Sequence, residues 1–325
     1  MTEPDMTGAI SSVRECADRL RANVARVMIG KDEAIDLLLV ALLCEGHVLL
    51  EDVPGIGKTT MAKTLARSLD CRFTRIQFTA DLLPSDIVGI NIFNQQTCQF
   101  EVRPGPIVTQ ILLADEINRA GPRTQAALLE AMEERQVTIE NERIVLPRPF
   151  MVLATQNPVE LAGTFPLPEA QLDRFLMRLT LGYPSEADER GMLRRFREES
   201  PLDTLAPVAS VDEIQAMQRA VRTVHIESVV EEYIVRLVRA TREHTAVELG
   251  ASPRAALALY RASQAWAALH GRAYVLPDDA KCLAPVVLTH RLLLRAQTNL
   301  RGMEVKDILA EILERVPAPV EKASA

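Results

Sequence analysis

An α/β domain built on a parallel sheet, followed by a smaller all-helical domain, is the architecture predicted by this sequence of 325 residues. Three observations predict it. Short apolar runs at residues 47–51, 73–78, 111–114, 150–155 and 176–181 alternate with helical stretches and loops, as strands buried on both faces do. A glycine-rich turn joins the first of these runs to a helix. Beyond Tyr183-Pro184 the strand-like runs stop and helical spacing takes over. The boundary is therefore expected near residue 184, with an α/β domain over 1–184 and a helical one over 185–325.

Each element has a local reason. Apolar positions over residues 11–27 are spaced for a helix, with Ser11 or Ser12 as its cap. A second helix over 32–45 places Ile35, Leu38, Leu39 and Leu42 on one face. The run at 47–51 is the first strand, and a helix over 59–69 follows the glycine turn. In the second domain, Val229, Val230, Tyr233, Ile234, Leu237 and Val238 form a helical stripe. Ser252-Pro253 opens another helix, a cap residue followed by proline in the first turn. Two more helices are expected near 277–290 and 305–316. The tail PAPVEKASA, residues 317–325, reads as disordered.

Composition narrows the function classes. The net charge of −7 argues against nucleic acid as a partner, since phosphate neutralisation needs clustered Lys and Arg. No run approaches the roughly 20 apolar residues that cross a bilayer, and residues 1–12 lack the basic and apolar segments of a secretory signal. The cysteines (Cys16, Cys44, Cys71, Cys98 and Cys282) are odd in number and form no CxxC pair, which points away from a disulfide framework or a zinc site and toward the cytoplasm.

The chemistry concentrates in two motifs. The turn after the first strand reads Asp52-Val-Pro-Gly55-Ile56-Gly57-Lys58-Thr59-Thr60. Strand before, glycines within and helix after form a phosphate-binding loop, whose N–H groups and helix dipole face phosphate oxygens. Gly55, Ile56, Gly57, Lys58, Thr59 and Thr60 are the expected ATP contacts. Lys58 supplies charge to the β- and γ-phosphates, and the Thr59 hydroxyl ligates Mg2+. Asp52 stands where the usual pattern has its first glycine. The second motif, residues 111–116, is an apolar strand ending in Asp115 and Glu116. Asp115 is expected to hold magnesium through water, and Glu116 to orient and polarise the attacking water.

These motifs, in the order HVLLEDVPGIGKT, FTADLLPSDIVG, DEINRAGPRTQAALLEAMEERQVTI, ATQNP and FPLPEAQLDRF, resemble the MoxR family of AAA+ ATPases over essentially the whole chain. The resemblance implies a hexameric ring of chaperone type that remodels, assembles or matures a protein complex, often with a partner carrying a von Willebrand A domain. It implies that Asn157 is sensor 1 and helps position the lytic water. It implies further that Arg174 is an arginine finger reaching the next subunit's γ-phosphate, and that Arg254 is the lid arginine of sensor 2. Ile29 and Gly30 match the segment that cradles adenine. Arg119 and Arg123 are further candidates for contacts across the subunit interface. Residues 88–102 look like the helix-2 insert of one AAA+ clade, and residues 137–146 like the hairpin before sensor 1. A metal-chelatase motor subunit is the alternative among ATPases, and a nucleic-acid-dependent ATPase or a nucleotide-gated scaffold the alternatives beyond them.

Overall fold

The computed structural model describes residues 3–157, 163–195, 201–300 and 302–319. The chain begins with α1 (Glu3–Ala25) and α2 (Asp32–Leu43), then β1 (Val48–Glu51), α3 (Lys58–Ser68) and β2 (Phe73–Gln77). A short α4 (Pro84–Val88) leads into the hairpin of β3 (Gly89–Asn94) and β4 (Gln99–Pro104). Next come β5 (Ile111–Asp115), a 3-10 turn at Ile117–Arg119, α5 (Pro122–Glu134) and the hairpin of β6 (Gln136–Ile139) and β7 (Glu142–Val145). Strand β8 (Met151–Gln156), α6 (Glu169–Leu172) and β9 (Met177–Leu179) complete the sheet region. The remainder comprises α7 (Glu186–Arg195), α8 (Val211–Val221), α9 (Ser228–Glu243), β10 (Val247–Leu249), α10 (Pro253–Leu269), α11 (Pro277–Leu288), β11 (Leu293–Leu294), α12 (Ala296–Leu300) and α13 (Val305–Arg315).

The central sheet has the order β2-β5-β8-β1-β9. Its pairs β2/β5, β5/β8 and β8/β1 are parallel, in registers that set Gln77 opposite Asp115, Ala114 opposite Ala154 and Glu51 opposite Gln156. Parallel pairing brings the carboxyl ends of these strands to one edge, where ligands of open α/β sheets gather. Strands β5 and β8 are almost wholly buried, which is why they read as unbroken apolar runs. Helix α2 buries every residue from Leu37 to Leu43 as well as Ile35.

Two compact units emerge from the contacts. One comprises residues 18–167 and 179–215, the other residues 1–17, 168–178 and 216–325. In the second, α9 buries Val230, Tyr233, Ile234, Leu237 and Val238. Val229, expected in the same stripe, is 52% exposed: at about 100° per residue it falls outside the arc that these five side chains share. Ser252 caps α10 as expected, its side chain accepting from the Ala255 N–H.

Other expectations need correction. The first helix does not start at Ser11 or Ser12; it runs from Glu3, and both hydroxyls instead donate one turn along the helix, Ser12 to the Gly8 carbonyl and Ser11 to Glu15. The C-terminal part is helical except for a small antiparallel ladder between β10 and β11, too short to leave a periodic signal. Of the tail, residues 320–325 lie outside the described residues.

A buried histidine ties the sheet to its covering helix. His47, just before β1, accepts the Val152 N–H at Nδ1 (3.0 Å), so its proton sits on Nε2 and is donated to the Met132 carbonyl (3.1 Å). Burial and the nearby Arg135 push its pKa down to about 3. The unfolded chain takes up a proton near pH 6.5 and the folded one does not, so stability present above pH 6.5 is lost as pH falls toward 3. Each such imidazole contributes a slope of about 1.4 kcal/mol per pH unit in that window. Urea unfolding at pH 6.0, 5.5 and 5.0 is expected to show His47→Gln with a slope flatter by about one proton; an unchanged slope would rule out the neutral buried imidazole.

Candidate ATP site

The phosphate loop leaves β1 at Asp52 and enters α3 at Lys58. Gly55 and Gly57 take φ of +86° and +94°, values that a side chain would strain. Nothing crowds Gly55, so backbone conformation and not space selects glycine there. Helix α3 has no acidic residue in its first turn and no side-chain cap, which leaves its positive end for an anion. Ile56, Gly57, Lys58, Thr59 and Thr60 are half-buried along this turn. Lys58 Nζ donates to the Asp52 carbonyl at 2.7 Å. Burial lowers the Lys58 pKa, opposed by the fields of Asp52, Asp115 and Glu116.

The acids stand one strand away from the loop, since β8 lies between β5 and β1. Thr155 of β8 spans the step: its hydroxyl donates to Asp115 Oδ1 (2.6 Å) and accepts the Glu116 N–H (2.8 Å). Arg75 of β2 holds the other carboxylate oxygen, Nη2 at 2.6 Å and Nε at 3.0 Å from Asp115 Oδ2. Glu116 Oε2 accepts from Gln77 at 2.8 Å and pairs with Arg119 at 3.0 Å. Its backbone sits at φ +58°, a left-handed conformation uncommon outside glycine and costly for a side chain of this kind. Asn157, directly after β8, is buried, and the preceding Gln156 carbonyl accepts the Asp52 N–H.

Ile29 and Gly30 lie in the same unit, close to the loop: a Cβ on Gly57 would stand 3.4 Å from Met28. The structure therefore gathers Ile29, Gly30, Gly55 to Thr60, Asp115, Glu116 and Asn157 in one unit. Arg174 and Arg254 belong to the other. There, Asp173 does not serve as a surface partner for its neighbour Arg174; it pairs with the buried Arg291 (2.7 Å) and accepts from the Ser252 hydroxyl (2.8 Å). That hydroxyl caps the helix carrying Arg254, so the two arginines sit on segments joined by one hydrogen bond. Arg119, expected across an interface, meets Glu116 of its own chain, and Arg123 is exposed in the first turn of α5.

Sequence reasoning missed Arg75, Gln77, Thr155 and Arg291. Thr155 and Gln77 left one usable signal, a polar residue at the carboxyl end of an apolar strand. Arg75 and Arg291 act over 40 and 118 residues and left none.

Comparison with known proteins places the chain. Residues 47–177 match the model of the ATPase family associated with various cellular activities (AAA), and residues 239–312 match the AAA lid domain. The chain is 51% identical to the uncharacterized protein YeaC of Bacillus subtilis, over 93% of this chain and 94% of that one. It is 40% identical to the chaperone MoxR1 of Mycobacterium tuberculosis (93% and 82%) and 33% identical to the protein MoxR of Methylorubrum extorquens (94% and 96%). A crystal structure of an ATPase candidate from Cytophaga hutchinsonii superposes with a TM-score of 0.90 at 39% identity, covering 96% of this chain and 98% of that one. With relatives of that name matched over nearly the full chain, and both the ATPase and lid models satisfied, this protein belongs to the MoxR family of AAA+ ATPases.

Proposed function

We propose that this ATPase is a chaperone-like motor that assembles into a hexameric ring and uses ATP hydrolysis to remodel, assemble or mature a client protein complex. The observation that carries the reading is the placement, within one unit, of Lys58 after β1 and of Asp115 and Glu116 at the end of β5, with Thr155 of the intervening β8 bonded to both acids. Lys58 exchanges the Asp52 carbonyl for phosphate oxygens. The Thr59 hydroxyl and Asp115 carboxylate, both hard oxygen donors, suit magnesium, which takes few protein ligands and completes its shell with phosphate and water. Among the described residues no cluster of three His, Cys, Asp or Glu could hold a metal unaided, so the nucleotide supplies the remaining oxygens. When bound, the ion neutralises charge on the phosphates. Glu116 orients and polarises the attacking water, with Asn157 beside it.

Arg174 acts as a finger in a neighbouring subunit's site, and Arg254 as the lid arginine. Residues 1–184 form the nucleotide-binding domain and 185–325 the lid. The client surface is formed by the two hairpins, which are tied together by Asn91 Nδ2 donating to Glu140 Oε2 at 2.9 Å. The first exposes an edge-to-face pair, Phe93 and Phe100, with ring centroids 5.2 Å apart. The name of the chaperone MoxR1 supports the chaperone reading. A partner with a von Willebrand A domain follows from family resemblance, and a cytoplasmic setting from the scattered cysteines, odd in number. No described helix is long and apolar enough to cross a membrane.

Three outcomes test these roles. Lys58→Ala is expected to abolish tight ATP binding, and wild-type affinity in a binding titration would remove the site assignment. Glu116→Gln is expected to bind ATP yet turn over about 10²–10⁴-fold more slowly; turnover within about twofold would mean another group activates the water. Arg174→Ala is expected to spare nucleotide binding and cost roughly 10³–10⁵ in turnover. Mixing it with Lys58→Ala should restore activity, because mixed rings join an intact loop to an intact finger. A mixture as inactive as its parts would refute action between subunits.

A further inference from the structure

The aspartate that replaces the first glycine of the phosphate loop needs a reason. A carboxylate there opposes a polyanion, and its field already acts on Lys58. Asp52 is nevertheless buried, and its Oδ2 accepts the N–H groups of Leu181 (2.5 Å) and Gly182 (2.9 Å), while Oδ1 accepts that of Val53 (3.2 Å). The same two residues are gripped by a cation. Lys31, also buried, donates Nζ to the carbonyls of Leu181 (2.7 Å) and Gly182 (3.0 Å). Acid and ammonium thus hold one short segment by its amides and its carbonyls.

That segment continues to Ser185, whose hydroxyl donates to Asp188 Oδ2 at 2.6 Å. The Asp188 carboxylate lies against Gly30: a Cβ there would come within 2.3 Å of it, and φ of +66° also disfavours a side chain. Lys31 is the next residue. The contacts therefore close a circuit from the phosphate loop at Asp52 through Leu181 and Gly182 to Asp188, on to Gly30, and back through Lys31.

We propose that Asp52 and Lys31 are positioning residues that fix the phosphate loop relative to the base-binding segment, so that the nucleoside part of ATP is bound only when both subsites are held in register. The proposal rests on the reading that Ile29 and Gly30 receive the base. It accounts for the aspartate: a glycine at position 52 would leave the Leu181 and Gly182 amides without this acceptor and the two subsites free to shift.

Calorimetric titration of the full chain with Mg·ATP and with Mg·tripolyphosphate, which has the phosphates but no base, separates the two contributions. Asp52→Gly and Lys31→Gln are each expected to weaken ATP binding about tenfold, the scale of one charge-assisted hydrogen bond, with tripolyphosphate within about threefold of wild type. Asp52→Asn, which keeps the volume and one acceptor oxygen, is expected to show the same selective loss in smaller measure and serves if the glycine variant does not fold. Equal losses for both ligands would make the network a support for the phosphate loop alone and overturn the proposal, as would unchanged ATP affinity. Wild-type protein that binds both ligands equally would remove the base site, and this proposal with it, while leaving the phosphate site intact.

Discussion

Strand β8 is the constraint on which the rest depends. It is buried along its length and paired in parallel on both sides, so the positions of β1 and β5 are set by its own backbone hydrogen bonds. From that one strand come the Val152 amide that fixes the tautomer of His47, the Thr155 hydroxyl that touches both acids, and the Gln156 carbonyl that receives the Asp52 N–H. A one-residue slip of β8 would send the Thr155 hydroxyl to the opposite face of the sheet and turn the Val152 amide and Gln156 carbonyl toward the other neighbouring strand. Register here is therefore a chemical requirement as well as a packing one.

Electrostatics complete what register begins. Two carboxylates beside a phosphate site repel the ligand unless each is engaged, and each is: Asp115 by Thr155 and Arg75, Glu116 by Gln77 and Arg119. The guanidinium of Arg75 donates twice to one Asp115 oxygen, and Thr155 donates to the other. In the second unit the same economy holds Asp173, whose charge is answered by a buried arginine that also donates to the Leu176 carbonyl.

What was legible in the sequence was local. The phosphate loop could be read because its glycines, lysine and threonine are consecutive and stand between a strand and a helix. The strands β1, β5 and β8 could be read because burial on both faces demands unbroken apolar runs. Both hairpins left paired β-like runs around polar turns, and Ser252-Pro253 announced its helix. The contacts that orient the site were not legible, because they join residues far apart: Arg75 to Asp115, Lys31 to Leu181, Arg291 to Asp173. An arginine in a strand or a lysine after a glycine looks the same in sequence whether solvated or buried. The start of α1 was misplaced for a related reason. Serine favours caps, but a hydroxyl inside a helix can be satisfied by the carbonyl one turn back, as Ser12 is.

Glu116 shows a different kind of conflict. Its left-handed backbone conformation is one in which glycine or asparagine would rest more easily, by roughly 1–2 kcal/mol relative to an ordinary side chain. Neither could put a carboxylate where this one stands. Under the role proposed for Glu116, selection for folding alone would drift away from glutamate at this position, and selection for turnover would hold it there. On that proposal, a library screened only for thermal resistance would be drawn toward catalytically silent chains at this site, and heat tolerance would be a misleading guide to turnover.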